Sequence, residues 1–181
     1  YIDWLKTDTQ GTDMRIFSAL PDAIRNNIIV SEFEPGIINA YYGEDKLVDL
    51  LKYMDGPVWW VSDLKIKGSV RISDRDIVRH KLNPLLARCA IRTSPGWGEI
   101  QYMNTLSSDS LSIRSVLAAW LFAFAEGQYG HCLYLCQLGK ELFVDSIFDD
   151  LTATTTRSIH GPGSYIYGLT KRIMARIRYS L

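Results

Sequence analysis

The chain has 181 residues, of which 47% are hydrophobic and 22% charged, a composition that excludes a disordered or fibrous protein and fits one globular domain. Its longest nearly uncharged run, residues 115–125, is about half of the roughly twenty residues a membrane span needs, so no span is expected. The 20 basic and 20 acidic side chains cancel in sum, so the order of the charges is more informative than their total.

The first ten residues lack a basic stretch followed by an apolar one, so no secretory signal is expected, and a start at Tyr1 reads as a trimmed chain. Residues 19–30 read as a short helix, with Pro21 and Asp22 suited to its first turn. Over 44–54, Leu47, Val48, Leu50, Leu51 and Met54 form a helical stripe, which Gly56 and Pro57 then end. Residues 58–72 read as a strand in which Leu64, Ile66 and Val70 alternate with Lys65, Lys67 and Arg71, with a bulge or bend at Gly68. One face of that strand is expected buried and the other basic.

Ser73 is suited to cap a helix over 74–89, which Pro84 kinks or divides. Ser94, Pro95 and Gly96 read as a turn, and 99–103 as a short strand. Ser110 can cap a helix over 111–126, apolar nearly all round and therefore expected at the centre of the core, with Gly127 ending it. Residues 131–137 and 141–147 read as a hairpin around Gly139 and Lys140. A Thr-rich stretch and a Gly-Pro-Gly turn at 161–163 lead to a basic amphipathic helix over 165–179. The expected fold is α+β: one domain over 1–181, a largely antiparallel sheet and about four to five helices.

Charge falls into four blocks. Residues 1–63 carry 5 basic and 11 acidic side chains, 64–92 carry 8 and 2, 93–151 carry 2 and 7, and 152–181 carry 5 and none. Such blocks either pair inside one fold or present two basic surfaces to an acidic partner. The first basic surface holds Lys65, Lys67, Arg71, Arg75 and Arg79. The second holds Lys171, Arg172, Arg176 and Arg178, opposite an apolar stripe of Ile166, Leu169, Ile173 and Ile177. Basic amphipathic segments of this kind engage anionic membranes, nucleic acid or an acidic protein face.

The segment GHCLYLCQLGKELFVDS opens on His131 and closes on Asp145, an order that can set a carboxylate beside an imidazole. This His–strand–turn–strand–acid arrangement resembles that of papain-like, adenovirus-type and SUMO-protease cysteine hydrolases. The later GPGSYIYGL resembles the adenovirus-type segment that carries the nucleophile, with Tyr167 where the cysteine would stand. Cys89 precedes His131 in the chain order of papain-like enzymes. Glu32 or Glu34 with Asp63 and Lys65 resembles half of a metal-nuclease motif.

No metal or cofactor is expected. His80, His131 and His160 are isolated, Cys132-x₃-Cys136 has no second pair, and no phosphate loop is present. On a strand, Cys132 and Cys136 would lie roughly 13 Å apart, too far for a bridge, which points to a reducing, cytoplasmic compartment.

The leading expectation is a non-catalytic assembly or binding protein, viral matrix-like or nucleocapsid-associated. Its partner would be an anionic membrane surface or nucleic acid, with self-association through the acidic blocks. The alternatives are a cysteine-hydrolase relative built on His131 and Asp145, and an immunity or effector protein with one dedicated protein partner.

Overall fold

The computed structural model describes residues 1–106 and 111–161. Within them the order is β1 (Trp4–Lys6), α1 (Asp13–Ala19), α2 (Asp22–Arg25), β2 (Val30–Phe33), α3 (Leu47–Met54), β3 (Trp59–Val70), α4 (Asp74–Arg79), α5 (Pro84–Ala90), β4 (Thr93–Asn104), α6 (Ile113–Ala125), α7 (Tyr129–Phe143) and α8 (Ile147–His160). The chain divides into two compact units, Tyr1–Ser107 and Ser108–Leu181. Every described strand lies in the first unit, interspersed with five helices, and the described part of the second is helical, an α+β content without regular alternation of single strands and helices.

The sheet of the first unit runs β1-β2-β4-β3. The helical crossover through α1 and α2 brings β2 alongside β1 in parallel, while β2–β4 and β3–β4 are antiparallel. Phe17 of α1 and Leu50 and Met54 of α3 pack on Phe33, Ile100 and Tyr102 of the sheet. The Phe17 ring meets Phe33 edge-on at 5.3 Å and Trp59 at 5.8 Å, an aromatic centre that accounts for part of the high aromatic content. Helix α3 follows its apolar stripe, burying Leu50 and Met54 and leaving Val48 and Leu51 exposed. The helix read over 19–30 is split at Pro21 into the ends of α1 and α2, and Ile28–Val30 already belongs to the core.

Strands β3 and β4 pair along their full length, but β2 reaches only Ile100–Met103 of β4. The remainder of β3–β4 is a two-stranded ribbon, touched at Trp97 by a single bridge from Gly36. This explains two departures from the sequence reading. Ser94, Pro95 and Gly96 are strand, not turn: Pro95 lies opposite Gly68, where β4 has one strand neighbour and a missing N–H is tolerated. Leu64 and Ile66 are 44% and 49% exposed on β3, which is the edge strand of the sheet and has a strand neighbour on one side only. The register shift between Lys67 and Gly68 places the irregularity where glycine led one to expect it.

In the second unit α7 packs against both α6 and α8. Ser112, not Ser110, caps α6, its Oγ accepting the Ser115 N–H at 3.1 Å; Ser110 lies outside the described residues. Gly127 (φ 69) ends α6 in the left-handed conformation, with its N–H on the Phe124 carbonyl and the Gln128 N–H on that of Ala123. Trp120 of α6 donates from Nε1 to Thr155 Oγ1 of α8 at 3.1 Å in the buried interior.

The hairpin expected over 131–147 is instead the helix α7. Cys132, Leu135, Cys136 and Gly139 are its buried residues, a spacing of 3.6-residue period that the strand reading overlooked. The Thr-rich stretch, given no element from the sequence, belongs to the helix α8. Thr152, Thr155, Thr156 and Ser158 each donate their hydroxyl to the carbonyl four residues earlier, so their side chains are satisfied within the helix. No helix among the described residues is long and apolar enough to cross a membrane.

Candidate functional site

Val70 and Thr93 pair with each other, so the residues between them, including α4 and α5, form the tip of the β3–β4 ribbon. Local chemistry folds this tip. Ser73 caps α4 by accepting the Asp76 N–H at 3.1 Å while donating to Asp76 Oδ2 at 2.7 Å. Lys81 then adopts the left-handed conformation (φ 54), with the Lys81 N–H on Val78 and the Leu82 N–H on Ile77. Asn83 Oδ1 accepts the N–H groups of Leu85 and Leu86, and Pro84 opens α5 as its first residue, so Pro84 divides the helix.

Each short helix contributes one small buried anchor, Ile77 and Ala87, to the interior. The large apolar side chains of the tip point the other way: Val78, Leu82, Leu85 and Leu86 are 71%, 42%, 77% and 68% exposed. Arg71, Arg75 and Arg79, four residues apart, are exposed beside them and take part in none of the ion pairs between described residues. The lysines expected to share this surface lie along the ribbon instead, where Lys65 pairs with Asp63 at 2.7 Å and Lys67 with Glu99 at 3.2 Å. The structure therefore separates the five residues of the first basic surface into two neutralised lysines and three arginines. Lys171, Arg172, Arg176 and Arg178, with the helix expected over 165–179, lie outside the described residues.

His131 and Asp145 are not brought together. His131 sits in the first turn of α7, stacked on Tyr134 with ring centroids 5.7 Å apart, and Asp145 follows the end of the same helix. The intervening helix separates them by about 20 Å along its axis. Burial pushes the His131 imidazole below its ordinary pKa, and Asp145 Oδ1 accepts the Ile147 N–H at the start of α8. Cys132 and Cys136 are buried on α7, one turn apart instead of on a strand; burial pushes the Cys132 thiol up to about 12 and raises that of Cys136. Raised thiols of this kind are poor nucleophiles at neutral pH. Cys89, on α5, is exposed and belongs to the other compact unit.

The carboxylates of the nuclease-like reading also stay apart. Glu32 accepts from Trp4 Nε1 at 2.7 Å and pairs with Lys6 at 3.3 Å. Gln101 of β4 stands between Glu32 and Asp63, two strand spacings or about 9.5 Å across the sheet. No cluster of three or more metal-ligating side chains occurs among the described residues.

A cleft of about 330 Å³ opens past the carboxyl ends of the parallel strands β1 and β2. Asp8, Gln10, Glu34, Tyr41 and Trp97 line it with Glu44, residues from four stretches of chain that no local motif joins. Burial would raise Glu44, but the Lys46 ammonium and the N–H groups of Ala40 and Tyr41 overcome that and hold it below the usual carboxylate range. Glu44 thus latches its own loop. Glu34 is displaced upward, by burial first and then by the charges of Asp8 and Glu99. No protein-family model, curated protein or solved structure matches this chain. The functional reading therefore rests on two features of the first unit, an arginine-bearing apolar tip and an acidic cleft with aromatic walls.

Proposed function

We propose that the chain is a non-catalytic binding protein that engages an anionic partner through Arg71, Arg75 and Arg79 at the ribbon tip. The observation that carries this reading is the contrast within one basic block: Lys65 and Lys67 have acidic partners, whereas the three arginines face solvent beside exposed apolar side chains. Exposed charges of one sign, four residues apart, two of them on the capped helix α4 and Arg71 just before it, attract phosphate-bearing surfaces and lose that attraction as salt screens them.

Co-sedimentation with anionic vesicles and a titration with RNA, each at low and physiological salt, test the reading. Salt-sensitive binding to at least one, reduced about tenfold or more by combined Arg75→Glu and Arg79→Glu, is the expected result. Absence of binding to both at low salt would overturn it.

A second reading, a dedicated protein partner, draws support from the cleft. Asp8 and Glu34 beside Trp97 and Tyr41 offer a cationic side chain both charge and aromatic faces. Its mark would be one stoichiometric partner in pull-downs, lost on Trp97→Ala.

A further inference from the structure

We infer that the ribbon tip seats on an anionic lipid surface, with the Val78, Leu82, Leu85 and Leu86 side chains entering the interface and Arg71, Arg75 and Arg79 meeting the headgroup phosphates. The inference rests on the anionic-partner reading above and names that partner.

The choice of lipid over nucleic acid comes from the apolar side chains. A phosphate backbone offers carbon side chains little to bury against, so an RNA-binding tip would leave Leu85 and Leu86 in water, at 77% and 68% exposure. At a bilayer surface the same side chains leave water for the acyl boundary while guanidinium groups remain among the headgroups. Sequence places the two sets together at the tip, and all of them are exposed. The four apolar residues fall between Val78 and Leu86, interleaved with or directly after Arg75 and Arg79.

The local fold also suits contact by a tip. α4 has six residues and α5 seven, too short for either helix to lie on a membrane as an independent amphipathic segment. Their caps are satisfied by Ser73 and Asn83, so the leucines are presented on preformed turns at the end of a paired ribbon. Charge complementarity selects the lipid: past the two paired lysines, residues 71–92 hold 6 basic side chains against 2 acidic ones, and one of the two, Asp76, is engaged with Ser73. An anionic leaflet attracts such a segment over roughly a Debye length, and burial of the leucines then holds it.

The test uses the full chain with vesicles of phosphatidylcholine alone, vesicles containing phosphatidylserine, and RNA. Combined Leu85→Ser and Leu86→Ser is compared with combined Arg75→Glu and Arg79→Glu. Both leucines are largely exposed, so the first variant should keep the parental melting curve, and a Leu85→Trp reporter follows insertion by a blue shift of its emission. The expected result is binding to the anionic vesicles only, reduced about tenfold or more by either pair of substitutions, since tenfold corresponds to 1.4 kcal/mol and two buried leucines exceed that. Vesicle binding lost only with the arginines, and no emission shift, would overturn insertion while leaving the anionic-partner reading standing. Binding to RNA alone would do the same. Vesicle binding lost only with the leucines, or binding to neither surface, would overturn both.

Discussion

Among single residues, the most consequential features are small ones that local pattern reading overlooks. Tyr102 is 3% exposed on the helix-covered face of the sheet, and its hydroxyl has no hydrogen-bond partner among the described residues; burial, with Asp55 adding to it, pushes the phenol up to about 12. An unpaired buried hydroxyl keeps its desolvation cost without return, so Tyr102→Phe should leave stability unchanged or raise it by about 1 kcal/mol. Urea denaturation measures this directly, and a loss of more than about 1 kcal/mol would show a partner for the hydroxyl. His131 illustrates the opposite error. Its place in the sequence suggests catalysis, while its burial against Tyr134 makes it a neutral packing residue whose charging is resisted. A group with a lowered pKa of this kind costs stability as pH falls below the ordinary histidine range.

At the scale of elements, the second unit shows how a helix can look like a hairpin. The segment over 131–147 has a Gly-Lys pair at its middle and β-compatible residues on both sides, and short-range signals favour a turn there. Gly139 is in fact the point where α7 meets α8: a Cβ at that position would lie 2.2 Å from the Phe148 ring. Alanine usually stabilises a helix relative to glycine by about 1 kcal/mol, so Gly139→Ala sets local propensity against packing. Packing should win. The substitution should destabilise the protein by about 1–3 kcal/mol, as overpacked cores do, and thermal or urea unfolding would show it. A stabilised variant would mean that α7 and α8 do not approach each other as described.

For the whole molecule, electrostatics decides what the alternating blocks mean. Part of the charge is internal, since Lys6–Glu32, Arg15–Asp45, Lys46–Glu44, Lys65–Asp63 and Lys67–Glu99 all pair within the first unit. The arginines of the tip and Glu34 in the cleft take part in none of the ion pairs between described residues. Glu34 binds its proton more tightly in the fold than in the unfolded chain. Its favourable contribution is therefore complete below the ordinary glutamate pKa, about 4.3, and is lost as pH rises through the raised folded value. Glu34→Gln should match the parent protein near pH 4 and exceed it in stability at neutral pH. Urea midpoints across that range would reveal it, and a variant less stable at neutral pH would mean that the Glu34 carboxylate has a compensating cation.

Read alone, the sequence determined the α+β class, the apolar stripe of α3, the long strand β3, the Ser73 cap, the division at Pro84 and the end of α6 at Gly127. These depend on neighbours within a few residues, where capping, chain breaking and periodicity operate directly on the backbone. It also marked Lys65, Lys67, Arg71, Arg75 and Arg79 as one basic group, from which ion pairs then divided off the two lysines. Tertiary structure alone decided the rest. Whether Pro95 ends a strand depends on how far β2 reaches, and whether Leu64 is buried depends on β3 lying at the edge of the sheet. Whether Lys65 and Lys67 remain available to an anion depends on acids one residue pair away across or along the ribbon. The cleft assembles side chains from four stretches of chain, and His131 is parted from Asp145 by a helix that only packing against α6 and α8 selects. Contacts distant in sequence set these outcomes, so residue order alone does not contain them.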